Sequence, residues 1–155
     1  MRLYEGNLGP VDGTIALVAS RFNEFIVDAL IKGATDILRR HGLAPEQVHV
    51  IRVPGAYELG FACAQAAQTG RYAGLVALGC VIRGATAHFD HVAGAVGSGL
   101  QQVAMQYQLP VGFGVLTVDS IEQAIERAGS KVGNKGSEAA LAVLEMIHLQ
   151  QALKA

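Results

Sequence analysis

The chain has 155 residues, with 12 basic against 13 acidic side chains and a formal net charge of -1. A domain of this size buries about 68 to 70% of its unfolded surface without a metal or disulfide, and the lack of a basic block disfavours nucleic acid or an anionic membrane as partner. Charged residues make up 16% of the sequence, where about 25% is typical, and mean hydropathy is +0.33. This excess of apolar surface predicts a homo-oligomer.

The N-terminal residues, the two cysteines and the short apolar runs indicate where in the cell the protein is found. The sequence MRLYEGNLG lacks the apolar region of a signal peptide, and no window approaches 18 uninterrupted apolar residues. Cys63 and Cys80 lie in apolar surroundings without CxxC spacing, which is typical of reduced core residues. We therefore expect a cytoplasmic protein with no membrane segment, forming one domain over residues 1–155 with an N-terminal arm at 1–11.

Strand and helix patterns alternate along the first half of the chain. Residues 2–9 are mildly extended and predict an arm or edge strand. Residues 14–19 are a short apolar run typical of a central strand, and apolar residues at three- and four-residue steps then predict a helix from about Asn23 to His41. Residues 47–53 alternate as a second strand. A further helix opens at 56–58 and continues to about Gln68.

The second half continues this alternation. Residues 73–82 are an uncharged apolar run, which favours a strand covered on both faces of a parallel sheet. The segments that follow are predicted to be a helix at about 89–107, a strand at 111–118, a short helix capped by Asp119 or Ser120, a loop at 129–136 and a last helix at about 137–154. Such order predicts a three-layer α/β/α sandwich around a four-stranded parallel sheet, in which ligands bind outside the carboxyl ends of the strands. Those ends are predicted to bring Phe22, Asn23 and the segments 54–58 and 80–88 to one rim, with Phe113 as a further candidate.

The turn after residue 82 is the strongest candidate for a site. Gly84 permits a tight turn, and Thr86 offers a capping hydroxyl to the helix that follows. Unpaired backbone NH groups and the positive dipole end of that helix favour an anion such as phosphate, and His88 lies beside them. We disfavour a metal site at His88, Asp90 and His91, because the two histidines are only three residues apart and no third ligand is evident.

Other candidate residues keep two interpretations each. The segment 129–137, GSKVGNKGS, departs from a P-loop because Asn134 precedes Lys135 and a helix precedes the segment. Lys131 and Lys135 either supply positive potential near an anionic substrate or are solvated loop lysines.

The aromatic and arginine candidates also have two interpretations each. Phe22 lies just past the first predicted strand and Phe113 lies within the fourth, and both are either core or ligand-contacting aromatics. Arg127 lies in the last predicted turn of a short helix, where a solvated cation meets the helix dipole favourably. Spacing alone thus predicts an α/β domain that binds a small anionic ligand.

Four motifs then carry a resemblance: VPGAYE at 53–58, GCVIRGATAHFD at 79–90, FGVLT at 113–117 and EQAIERAG at 122–129. With them the chain resembles the lumazine synthase family of riboflavin biosynthesis over residues 16–146. The resemblance implies a flavodoxin-like fold and condensation of 5-amino-6-(D-ribitylamino)uracil with 3,4-dihydroxy-2-butanone 4-phosphate to 6,7-dimethyl-8-ribityllumazine, phosphate and water. It implies neither a redox cofactor nor a metal.

The resemblance also implies residue roles. The residues expected at the ribitylaminouracil are Phe22, Ala56, Tyr57, Glu58, Cys80, Val81, Ile82 and Phe113. Those expected at the butanone phosphate are Ala85, Thr86 and Arg127. His88 would transfer protons. Because family members build each site between neighbouring subunits, Phe113 and Arg127 would come from the adjacent one.

The same resemblance implies assembly into pentamers, paired pentamers or 60-subunit shells of twelve pentamers, and the short loop at 129–136 favours the shell. Association with riboflavin synthase is a further expectation. Two alternatives share the fold: a non-catalytic flavin- or lumazine-binding protein, and a structural shell protein without activity. Arg127 and His88 disfavour the first, because a binding protein does not eliminate phosphate, and the intact motifs disfavour the second.

Overall fold

A computed structural model describes residues 1–155. Its strands are β1 (Thr14–Ser20), β2 (Val48–Val53), β3 (Tyr72–Ile82), β4 (Val111–Val118), β5 (Ala128–Ser130) and β6 (Gly133–Asn134). Its α-helices are α1 (Glu24–Arg40), α2 (Leu59–Gln68), α3 (His88–Tyr107), α4 (Ile121–Glu126) and α5 (Lys135–Lys154). Short 3₁₀ turns at Pro45–Gln47 and Ala56–Glu58 precede β2 and α2. None of the helices has the length and apolar character needed to cross a membrane.

The first four strands form one parallel sheet in the order β2-β1-β3-β4. Successive side chains of a strand point to opposite faces, and on β1 Leu17 belongs to one apolar cluster while Val18 belongs to the other. The first cluster includes Leu30 of α1 and Leu144 of α5, and the second lies under α2 and α3. The predicted three-layer α/β/α sandwich is confirmed.

At two predicted helix caps, the structure lacks the expected side-chain capping hydrogen bond. The N-cap of α3 is Ala87, without a side-chain cap, and the Thr86 hydroxyl only accepts a long hydrogen bond of 3.4 Å from the His88 NH. Asn23 is the N-cap of α1, but its side chain makes no capping bond. Of the two residues predicted to cap α4, Ser120 does so by accepting from the Gln123 NH at 3.2 Å.

The predicted loop at 129–136 is wrong in its detail, because it contains the antiparallel hairpin β5-β6. Gly129 and Gly133 have φ of 112° and 86°, a backbone conformation that a residue with a Cβ rarely adopts. Helix α5 begins at Lys135, two residues earlier than predicted. Helix α4 ends at Glu126, so Arg127 lies just past its last turn.

The N-terminal arm forms no strand within the chain, since residues 1–13 have no sheet partner. Its inner end is held by two histidines: Nδ1 of His41 lies 2.8 Å from the Leu8 carbonyl, and Nε2 of His148 lies 2.9 Å from the Gly9 carbonyl. The arm is therefore fixed to α1 and α5 at its base, while the side chains of Leu3 and Tyr4 are exposed.

Candidate active site

A cavity of about 610 Å³ lies at the carboxyl edge of the sheet. Parallel strands end at the same edge, so the segments that follow β1, β2 and β3 meet there and face the start of α3. The residues that line the cavity are Phe22, Asn23, Gly55, Ala56, Tyr57, Glu58, Cys80, Val81, Ile82, Gly84, Thr86, His88, Phe89, His91 and Val92.

The structure brings nine of the predicted site residues to this cavity and leaves four outside it. The nine are Phe22, Ala56, Tyr57, Glu58, Cys80, Val81, Ile82, Thr86 and His88. Ala85 lies in the same turn as Gly84 and Thr86 but does not line the cavity wall. Phe113, Arg127 and Lys135 line a different cleft.

Backbone hydrogen bonds hold the segment after β1 in place. The NH of Arg21 donates to the Val53 carbonyl at 2.8 Å, and the NH of Phe22 donates to the Pro54 carbonyl at 3.0 Å. The backbone of Phe22 is thus fixed to the end of β2, whereas its side chain is 73% exposed. A fixed backbone and an exposed ring are what stacking on a planar ligand requires.

Asn23 connects the ends of β1 and β3. Its backbone is left-handed, with φ 62° and ψ 45°, a region that Asn tolerates better than most residues. Its side-chain Nδ2 donates to the Cys80 carbonyl at 2.8 Å. A capping residue usually has an extended backbone, so the left-handed backbone of Asn23, with its side chain directed at Cys80, accounts for the missing side-chain cap.

The turn at 56–58 contributes a carboxylate. Glu58 Oε1 accepts from the Gly55 NH at 2.9 Å, which leaves the second carboxylate oxygen without a partner in the chain. Ala56 is buried beneath this turn, and Tyr57 is exposed. A carboxylate with one free oxygen in a cavity can accept hydrogen bonds from hydroxyl groups of a ligand.

Cys80 forms an uncharged part of the wall. Burial raises the pKa of its thiol to about 11, from a reference value of 9.0. The thiol is therefore protonated at neutral pH, and only a thiolate is a good nucleophile or metal ligand. Cys80 acts here as an apolar side chain with a hydrogen-bonded backbone.

Arg83 holds the start of α3 against the end of β4. Its guanidinium carbon lies 4.3 Å from the centre of the Phe89 ring. Its Nε donates to Asp119 Oδ1 at 3.0 Å, and Nη1 lies 3.6 Å from Asp90 Oδ1. This bridge spans the segment that carries His88, whose side chain is exposed and faces the cavity.

A second cleft, of about 350 Å³, lies beside the edge strand β4. Its lining residues are Phe113, Val115, Thr117, Val118, Arg127, Val132, Lys135 and Glu138. Arg127 Nη1 donates to the Gln123 carbonyl at 3.0 Å and lies 3.5 Å from Glu126 Oε2. The NH of Lys135 donates to the Arg127 carbonyl at 2.9 Å, which places the two cations on one wall.

The two clefts share no residue and differ in chemistry. The 610 Å³ cavity holds imidazoles, a carboxylate and aromatic rings, but no lysine or arginine. The 350 Å³ cleft holds arginine and lysine but no histidine. No group of three or more His, Cys, Asp or Glu side chains is placed to hold a metal ion. Neither cleft of one chain alone therefore combines an imidazole with an arginine or lysine.

Sequence reasoning missed several lining residues, and for some a signal was present. His91 follows His88 by three residues on a predicted helix, a spacing that puts both on one face. Asn23 was predicted to lie at this rim, three residues past the end of β1, but no role at the site was assigned to it. Glu138 was missed for a different reason, because only the packing of α5 against β4 places it at that edge.

Comparison with known families agrees with this geometry. Residues 12–151 match the model of the 6,7-dimethyl-8-ribityllumazine synthase family. Since the match covers nearly all of the 155 residues, the chain belongs to that family. Membership indicates a transferase-type enzyme of riboflavin biosynthesis.

Proposed function

We propose that this member of the lumazine synthase family condenses 5-amino-6-(D-ribitylamino)uracil with 3,4-dihydroxy-2-butanone 4-phosphate. The products are 6,7-dimethyl-8-ribityllumazine, inorganic phosphate and water. The observation that carries the proposal is that nine residues expected from the family resemblance, drawn from three strand ends and one helix start, line a single cavity.

The cavity would hold the pyrimidine and its ribityl chain. The exposed ring of Phe22 stacks on the pyrimidine, and backbone groups of Cys80, Val81 and Ile82 hydrogen-bond its polar edge. The free oxygen of Glu58, with the turn Ala56–Tyr57 beside it, accepts from the ribityl hydroxyls. This placement is supported by a cavity of about 610 Å³, a size typical of small-molecule sites.

The phosphate would lie at Ala85 and Thr86, where the start of α3 favours an anion. Arg127 pairs with the phosphate charge and Lys135 adds positive potential, both from a neighbouring subunit together with Phe113. The separation of the two clefts within one chain supports this arrangement. A cavity with no cation needs one from outside if it is to bind a phosphate dianion.

The chemistry then proceeds in four steps. The 5-amino group adds to the ketone and loses water to form an imine. A C–H proton leaves and the phosphate departs with the C–O bonding electrons. The resulting enol takes up a proton at its terminal carbon and becomes a ketone. The ribitylamino nitrogen closes the ring on this new carbonyl, and a second water leaves. His88 exchanges protons during these steps, while positioning of the two substrates supplies most of the acceleration.

Assembly belongs to the same proposal. The subunits form pentamers, and twelve pentamers form a 60-subunit shell that associates with riboflavin synthase in the cytoplasm. Residues 1–155 act as one domain, with the arm at 1–11 available to a neighbour. The arm's exposed apolar side chains and its lack of a strand partner within the chain support this role.

The deciding experiment mixes the purified protein with both substrates and follows lumazine fluorescence together with released phosphate. Equal molar amounts of both products, well above the uncatalysed rate, are expected. Arg127→Ala should lower the rate, whereas Arg40→Ala, which removes an exposed arginine of α1 paired with Asp36, should not. Tight binding of the lumazine without turnover would instead favour a non-catalytic binding or shell protein.

A further inference from the structure

The side chain of Asn134 connects three elements that are far apart in sequence. Its Nδ2 donates to the Ala29 carbonyl of α1 at 3.0 Å, across 105 residues. Its Oδ1 accepts from the NH groups of Gly136 and Ser137 at 2.8 and 3.1 Å, which caps α5. Asn134 itself is the last residue of the β5-β6 hairpin. One partly buried amide therefore fixes the hairpin and the start of α5 to α1.

Two glycines make room for this connection. A Cβ on Gly33 of α1 would overlap the Asn134 amide, and a Cβ on Gly136 would overlap the Leu30 carbonyl. Neither glycine has a positive φ, so neither is needed for its backbone conformation. Both are needed because α1 and the start of α5 approach each other so closely that there is no space for a side chain.

The residues next to Asn134 are the cations of the 350 Å³ cleft. Lys135 follows it directly, and the Lys135 NH donates to the Arg127 carbonyl at 2.9 Å. Asn134 also pairs with Ala128, the residue after Arg127, across the hairpin. A shift of the Asn134 amide would therefore move the backbone that carries both positive charges.

We propose that Asn134 is a positioning residue for the 350 Å³ cleft, which binds an anion. Held by the Ala29 carbonyl, it sets the backbone positions of Arg127 and Lys135 and so determines how tightly they bind a phosphate group. The proposal rests on the proposed function, because it assumes that this cleft receives the phosphate of the substrate. Asn134 does not line the cleft, so any effect passes through the two cations.

Asn134→Ser tests the connection selectively. A serine hydroxyl can still accept from the NH groups that begin α5, but it cannot reach the Ala29 carbonyl. We expect the KM for the butanone phosphate to rise about tenfold, the equivalent of one charge-assisted hydrogen bond. The KM for the ribitylaminouracil and the kcat at saturating substrate should stay near the wild-type values, since the lost contact is to bound phosphate in both ground and transition states.

Gly33→Ala tests the same contact from the other helix, because the added methyl group displaces the amide. It should reproduce the selective change in KM, whereas Thr35→Ala, an exposed position on the same helix, should leave every constant unchanged. A purely structural role would lower the melting temperature and kcat, with both KM values unaltered. That result would overturn the proposal.

Direct binding separates this proposal from the proposed function. Calorimetric titration of the assembled protein with inorganic phosphate should give about tenfold weaker binding for Asn134→Ser than for wild type. If wild type binds phosphate without turning over substrate, the proposed function fails and the role of Asn134 is still measured. Equal binding by both proteins, or no binding by wild type, would refute the positioning role.

Discussion

The 610 Å³ cavity and the 350 Å³ cleft lie at different edges of the sheet and contain different reactive groups. The cavity lies at the carboxyl ends of three strands, where connecting segments are held together by hydrogen bonds across the sheet. The cleft lies beside the exposed edge strand β4, where Phe113 is 41% exposed. One region has acid–base groups without cations, and the other has cations without an imidazole. Under the proposed function each region is half of a site, which predicts that subunits complete one another.

The largest expected effect comes from removing the imidazole of the cavity. His88→Ala should lower kcat about 10²- to 10⁴-fold, which is the usual contribution of general acid–base catalysis. Turnover should not be abolished, because both substrates remain positioned. His49→Ala, on the distant strand β2, is the control and should have no effect. Steady-state lumazine formation measures both. Complete loss of turnover in a variant that folds and binds both substrates would contradict the expectation.

The next effect tests whether the two regions belong to different subunits. His88→Ala damages only the cavity, and Arg127→Ala damages only the cleft. When equal amounts of the two variants assemble together at random, an intact cavity should meet an intact cleft at about one interface in four. Activity of the mixed oligomer should therefore reach about a quarter of the wild-type rate, far above either variant alone.

The control for that experiment mixes the two variants after each has assembled separately. No recovery is expected there if subunits do not exchange during the assay. If co-assembled oligomers also show no recovery of activity, the cavity and the cleft of the same chain serve one site. That result would contradict the view that subunits complete one another.

A smaller effect is expected from the aromatic ring of the cavity. Phe22→Ala removes stacking worth about 0.5 to 1.5 kcal/mol, so the KM for the ribitylaminouracil should rise about 2- to 13-fold while that for the butanone phosphate stays unchanged. Phe25 is a matched control, since it is 77% exposed against 73% for Phe22 but lines neither cleft. An equal change in both KM values would argue against stacking on the pyrimidine.

The smallest effect concerns the two thiols, one in the core and one in the cavity wall. Burial raises the pKa of Cys63 to about 12 and that of Cys80 to about 11, above the reference value of 9.0. The folded state thus holds these protons more tightly, so their stabilising contribution is complete below pH 9 and is lost as the pH rises towards 11 and 12.

The denaturant midpoint of wild type should accordingly fall more between pH 8.5 and pH 10.5 than that of a Cys63→Ala/Cys80→Ala variant. Both proteins keep the same tyrosines and lysines, so the difference between them isolates the thiols. Identical pH dependence would show that neither thiol is held in its neutral form by the fold.

Much of the fold and part of the site followed from local patterns in the sequence. The buried strand β3 was predicted from its uncharged apolar run, and β4 with its predicted bounds from the run at 111–118. The segments 56–58 and 80–88 were predicted to share one rim because each follows a strand of a parallel sheet, and they do line one cavity. These features depend on residues only a few positions apart.

Other features were decided by contacts that no local pattern contains. Thr86 was predicted to cap α3, but the turn after β3 leaves its hydroxyl only a long bond to the His88 NH. The loop at 129–136 contains a hairpin and α5 starts early, and Asn134, where the two meet, is bonded to the Ala29 carbonyl of α1. The strand order placed β4 at an edge and so put Arg127 and Phe113 away from the cavity.

The sequence by itself therefore determined the alternation of strands and helices, the three-layer sandwich and the segments that line the cavity. Periodicity, turn residues and strand ends act over a few residues, and the sequence displays them directly. Only the tertiary structure decided that the cations lie in a cleft of their own and that Asn23 and Asn134 tie distant elements together. Those contacts join residues 57 and 105 positions apart, and they exist only once the chain has packed.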